Sequence, residues 1–291
     1  MSTVETTMDA PRPRRRKSAL QRCLSQPSAI IGGSMVLFFI AVAIFAPILA
    51  PFDPNQSDWM AIRQAPSALH WFGTDDLGRD ILSRVIFGAR ASLMAGVISV
   101  AIAIAIGVPL GLIAGYFGGI LDAIISRLTD ALLACPFLVL AIALAAFLGP
   151  SLENAMIAIG ISATPIFIRL TRGQVLTVKV EDYITAVKSL GVRNYNVIVS
   201  HILPNVLAPI VVQGTITMAT AVLAEASLAF LGLGQRPPAP SWGSMLDIAR
   251  QFLTQAPWMA VWPGLAIVAI VLGFNLLGDG LNDALEPQQD S

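Results

Sequence analysis

Few side chains in this sequence could do chemistry, and their placement limits what that chemistry is. Two histidines, His70 and His201, and two cysteines, Cys23 and Cys135, are too few and too scattered for a metal site or a disulfide framework. The lysines are Lys17, Lys179 and Lys188, and none closes a G-x-x-x-x-G-K-[ST] phosphate loop, so the sequence holds no such site for ATP of its own. No His-Asp-Ser constellation suggests membrane-embedded hydrolysis either. Two carboxylates, Asp130 and Glu225, fall inside long apolar runs, where ionisable groups are costly and mark gates, relays or solute paths. Arg127 lies one helical turn before Asp130, which predicts a local ion pair. Glu225 has no such neighbour, so it is expected to face the bundle, a subunit interface or a translocation path, with a gate as its functional reading.

The elements that position these groups follow from composition. The chain of 291 residues is 55% hydrophobic and 12% charged, too apolar for an average soluble domain. Net charge is zero, which argues against nucleic acid as a partner. Six apolar runs reach the roughly 20 residues that span a bilayer: 28–50, 91–115, 121–148, 154–170, 205–231 and 257–278. Their expected class is an all-α membrane protein of six transmembrane helices. Ahead of them, 1–27 is a basic tail with Arg12, Arg14, Arg15, Arg16, Lys17 and Arg22, which the positive-inside rule places in the cytoplasm. Six spans then return 283–291 to the same side. Segment 51–90 becomes an external loop, in which Ile81, Leu82, Val85, Ile86 and Ala89 mark an apolar helix face expected to lie at the membrane surface. Asp80 stands four residues before Arg84 there, the favourable order for a helical ion pair. All five tryptophans, at 59, 71, 242, 258 and 262, fall in or beside segments placed outside, as headgroup-level aromatics would.

Two patterns concern packing and docking. Gly107, Gly111 and Gly115 recur every four residues, giving one helix face that another backbone can approach closely, within the subunit or at a subunit interface. On the cytoplasmic side, 171–204 is too polar to span and too patterned for a passive connector. Val180, Ile184, Val187 and Leu190 form one apolar stripe, with Glu181, Asp182, Lys188 and Ser189 elsewhere on the helix. Gly191 should end that helix, and Asn194 can cap the next one, which re-enters the membrane. Physically this protrusion is either a helix on the bilayer surface or a docking knob for a partner.

The run Tyr183-Ile184-Thr185-Ala186-Val187-Lys188-Ser189-Leu190-Gly191, followed by His201-Ile202-Leu203-Pro204-Asn205, resembles the EAA loop of bacterial ABC-importer permeases. Ala186, Gly191, Leu203 and Pro204 match that motif, whereas Thr185 stands for its glutamate, Val187 for its second alanine and His201 for its isoleucine. Phe72-Gly73-Thr74-Asp75-Asp76-Leu77-Gly78-Arg79-Asp80, Leu231-Gly232-Leu233-Gly234 and Phe274-Asn275-Leu276-Leu277-Gly278-Asp279-Gly280-Leu281-Asn282-Asp283 are similar to blocks of the dipeptide/oligopeptide/nickel permeases, specifically their C subunit.

The resemblance implies a type I ABC-importer permease, with 91–282 as its transmembrane domain and 171–204 as its coupling loop. Val180, Glu181, Asp182, Tyr183, Ile184, Ala186, Val187, Gly191 and Pro204 would then belong to the ATPase-coupling helix and its flank. Arg79, Asp80 and Arg84 would mark the external segment, as structural residues or as contacts for solute or binding protein. The implied partners are a homologous permease in a heterodimer, ABC ATPase subunits that use ATP and Mg, an external solute-binding protein, membrane lipid and a peptide substrate. No cofactor, metal or catalytic residue is expected in this chain. Nickel or another small solute is the alternative cargo, and an autonomous secondary transporter the alternative class.

Overall fold

A computed structural model of the chain describes residues 25–285. The basic cluster at 12–22, Cys23 and the last residues of the C-terminal tail lie outside the described residues. The architecture is helical throughout: α1 (Pro27–Ile44), α2 (Ile81–Phe117), α3 (Gly119–Leu133), α4 (Phe137–Leu148), α5 (Leu152–Val178), α6 (Asp182–Ser189), α7 (Asn194–Phe230), α8 (Trp242–Ala249) and α9 (Trp258–Leu285). Among the described residues the sole β interaction is one isolated bridge, Thr74 to Asp80. Five helices are long and apolar enough to cross a membrane, and α3 with α4, bent by 90° at their junction, make a sixth where the pair counts as one span.

Five of the six expected spans are single long helices, the third is the bent pair, and several differ from expectation in shape. The anticipated surface helix at 81–89 is the beginning of α2 itself, a continuous helix of 37 residues. At about 1.5 Å per residue it is roughly 55 Å long, well beyond a hydrocarbon core of about 30 Å. The third span breaks between Leu133 and Phe137 because Pro136 has no N–H and disfavours helical geometry in the residue before it. The fourth span continues past Arg169 to Val178, since hydrogen bonding along the backbone is indifferent to where the apolar run stops.

The glycine stripe resolves within the subunit. α2 and α5 run parallel, with Gly107 against Phe167, Gly111 against Thr171 and Gly115 against Val175. A Cβ on Gly111 would meet the Thr171 Cβ at 2.6 Å and the Ile168 carbonyl at 2.7 Å, so only a bare backbone fits. Gly111→Ala is expected to lower stability by about 1–3 kcal/mol, read as an earlier thermal unfolding transition of the detergent-solubilised subunit. Gly173, on the same α5 with open space around it, is the control whose alanine variant should not lose stability by overpacking.

Around this pair, α1 runs antiparallel to α9, with Gly32 against Leu277 and Gly280 against Ala29. α7 lies antiparallel to α2, Gly96 meeting Val222 and Gly214 meeting Val100. Helix ends are closed by side chains, as orphan backbone groups require. Arg90 donates to the Ala43 and Ile44 carbonyls in the last turn of α1, at 2.6 and 3.2 Å. Asn154 donates to the Leu148 and Gly149 carbonyls at the end of α4, at 2.8 and 2.9 Å, while the Ser151 hydroxyl caps α5.

Candidate functional site

The loop between α5 and α7 is a braced structure. Asp182 in the first turn of α6 and Lys188 in the last complement the helix dipole. Ile184 is fully buried in a cluster with Val175, Val197, Ile202 and Val206, and Val187 packs partly against it. The apolar stripe is therefore shorter than its sequence pattern: Val180 and Leu190 lie outside the helix and are 70% and 82% exposed. Tyr183 and Tyr195 are exposed as well, so the loop carries four large apolar or aromatic side chains open to a partner. Gly191 adopts φ +73°, a left-handed turn that glycine takes without steric cost, and it redirects the chain into α7.

Tyr116, at the end of α2, ties both limbs of this loop to the bundle. Its ring lies 4.9 Å from the Lys188 ammonium, and its hydroxyl donates to Asn194 Oδ1 at 2.7 Å. Lys179 donates to the Gly115 carbonyl at 2.7 Å. Asn194 is consequently the first residue of α7 rather than its cap, Arg193 holding the cap position without a side-chain bond. Residues Val197–Ile202 wind as a π-helix just before Pro204, which has no N–H to offer the Ser200 carbonyl. Arg172 of α5 grips Asp122 of α3 through two hydrogen bonds, a cross-helix pair beside the loop. Asp130 pairs with Arg169 at 2.7 Å, not with Arg127 as its spacing predicts, because the two α3 carboxylates, Asp122 and Asp130, both meet arginines of α5.

At the opposite end of the bundle, 51–80 is held by a buried charge network. Asp75 accepts from the Leu77 and Arg79 backbone N–H groups at 2.9 Å and from Arg79 Nε at 2.7 Å. Arg84 reaches Asp75 Oδ2 at 3.4 Å and donates to the Pro54 carbonyl at 2.8 Å. The expected Asp80–Arg84 pair does not form, because Asp80 caps α2. Its carboxylate accepts from the Ser83 N–H at 2.8 Å and the Ser83 hydroxyl at 2.7 Å, and lies 3.0 Å from His70 Nδ1. Arg79, Asp80 and Arg84 are 2–3% exposed, so they fasten the segment to α2 and present no surface to a solute or protein.

Glu225 is enclosed inside the subunit by α2, α7 and α8. One carboxylate oxygen accepts from the Ser92 hydroxyl at 3.3 Å, and the other has no hydrogen-bond partner among the described residues. The N-terminus of α8 closes the site, with the Trp242 N–H donating to Ser92 Oγ at 3.4 Å and the indole donating to the Val85 carbonyl at 2.9 Å. This packing supports an internal joint, not the gate that isolation in the sequence suggested. Trp242 is likewise fully buried rather than at headgroup level. Tyr116, Arg172 and Ser92 escaped the sequence reading, since nothing local links them to partners 50 to 133 residues away.

Residues 107–291 match the family model of the binding-protein-dependent transport system inner membrane component, and 15–66 match the N-terminal transmembrane domain of oligopeptide transport permease C. The chain is 49% identical over 275 residues to the dipeptide transport system permease protein DppC of Alkalihalophilus pseudofirmus, covering 94% of this chain and 90% of that one. It is 48% identical over 269 residues to the glutathione transport system permease protein GsiD of Salmonella typhimurium, covering 92% and 89%. Among solved structures, a chain of the inward-facing MetNI methionine ABC transporter has the same fold, with a TM-score of 0.57 at 20% identity over 71% of this chain and 98% of that chain. The family model spans more than half of the sequence and the relatives nearly all of it, so the chain belongs to the binding-protein-dependent transport inner membrane components, the permease subunits of ABC importers.

Proposed function

We propose that this subunit is the permease of an ATP-driven importer of short peptides, with α6 and its flanks as the contact for an ABC ATPase. The observation that carries the reading is the braced loop itself. Ile184 is buried and Tyr116 clamps both limbs, while Val180, Tyr183, Leu190 and Tyr195 stand exposed at the tip. A rigid lever with an apolar face transmits a partner's movement into α5 and α7. In this reading both termini are cytoplasmic, a homologous permease supplies the other half of the pathway, and a binding protein delivers cargo to the end that carries Asp75. Nucleotide-driven closure of the ATPases favours one of two bundle states, and release favours the other. Peptide cargo is supported by relatives named for dipeptide and glutathione transport.

Proteoliposomes holding this chain, a partner permease, ATPase subunits and a binding protein should take up labelled alanyl-phenylalanine only when ATP is supplied on the ATPase side. Ion-driven uptake by this chain alone would contradict the assignment and support a self-sufficient transporter.

A further inference from the structure

A cleft of about 660 Å³ opens between α5, α7 and α9 at the end of the bundle that carries α6. Its polar lining is Gln174 from α5, Gln213 from α7, and Asp279 and Asn282 from α9, set among apolar residues such as Val212 and Ile216. Among the described residues no lysine or arginine lines it. Among the described residues Gln174, Asp279 and Asn282 have no side-chain hydrogen bond or ion pair, and Gln213 donates only to the Thr217 hydroxyl at 3.2 Å. Unpaired polar groups on membrane-spanning helices are expensive unless they line a water-filled or solute-filled space. Here three helices aim such groups into one cleft.

From this geometry we infer that the cleft is a peptide-binding station, in which Asp279 receives the α-ammonium group and the three carboxamides receive the peptide's N–H and C=O groups. The inference rests on the peptide-importer reading and adds which end of the cargo is recognised. One carboxylate with no cation beside it among the described residues selects a positive group, and charge-assisted hydrogen bonds are the strong ones. Carboxamides both donate and accept, so they serve a peptide unit whatever its side chain. The apolar walls take side chains without demanding a shape, and the volume falls in the range of about 300–1,000 Å³ usual for small-ligand pockets.

The test uses the assembled complex in detergent, with native cysteines replaced by serine and Val212→Cys as reporter, so that no binding protein filters the ligand. Millimolar alanyl-phenylalanine should slow maleimide modification of the reporter about fivefold or more, whereas N-acetyl-alanyl-phenylalanine should not. Asp279→Asn should abolish that protection, and Asp279→Glu should retain it. Equal protection by both peptides, protection that survives Asp279→Asn, or no protection by the free-amine peptide would each overturn the inference. If the same complex, reconstituted in proteoliposomes with a binding protein and ATP, imports the peptide while the reporter in detergent stays unprotected, only the station is wrong. If the reconstituted complex imports no peptide at all, the failure belongs to the peptide-importer reading.

Discussion

Asp75→Ala is expected to destabilise the folded subunit by about 3–5 kcal/mol, the largest loss of any single substitution at the end of the bundle that carries this carboxylate. Asp75 is the centre of the buried network: it pairs with Arg79 and Arg84 and accepts two backbone N–H groups. Removing it leaves one guanidinium with only Asp76, whose side chain is 25% exposed, and another facing backbone carbonyls alone. Breaking a buried pair costs far more than the pair contributes, since the remaining charge has lost its water as well as its partner. Asp130→Ala is the contrast. Its pair with Arg169 is about as short, yet both side chains are more than half exposed, so the loss should stay within about 1 kcal/mol. Thermal unfolding of the two variants in detergent checks both, and similar transitions would mean that the network around Asp75 is dispensable.

The second large effect is functional and falls on two residues of one short helix. Ala186 is exposed on α6, whereas Ile184, two residues earlier, is fully buried beneath it. Ala186→Arg should reduce ATP-dependent uptake about tenfold or more while changing stability by no more than about 0.5 kcal/mol, the usual range for a surface substitution. Ile184→Ala should instead cost about 2–5 kcal/mol through the cavity it leaves, and its uptake should fail with the loosened loop. Uptake assays beside unfolding curves separate the two. If Ala186→Arg transports normally, the exposed face of α6 is not a contact surface.

Much of this architecture is legible in the residues because the bilayer imposes long apolar segments. The six spans follow from that demand, and the glycine stripe at 107, 111 and 115 follows from the helical period. Gly191 as the end of α6 is equally local, a positive φ that a glycine marks. What the sequence conceals is partner choice across distance. Asp130 has Arg127 one turn away and takes Arg169 instead. Asp80 has Arg84 in the favourable register but is drawn off by the free N–H groups at the start of α2. Spacing rules describe isolated helices, and a packed bundle offers each charge several partners. The stripe from Val180 to Leu190 errs for a related reason: periodicity reports which residues share a face, not where the helix stops, and only Ile184 and Val187 meet the core. Glu225 looks isolated in sequence because its partner, Ser92, arrives from another helix.

The central claim, that α6 is the contact with an ATPase, is tested most directly by disulfide cross-linking in membranes. Cys23 and Cys135 are replaced by serine, and a single cysteine is placed at Thr185 on α6 or at Gln251 beyond α8, against a candidate ATPase subunit with one cysteine in its permease-facing groove. A cross-link is expected from 185 and none from 251, with a yield that changes when ATP is bound. A loop that is accessible from the cytoplasm yet never cross-links, with or without nucleotide, would contradict it.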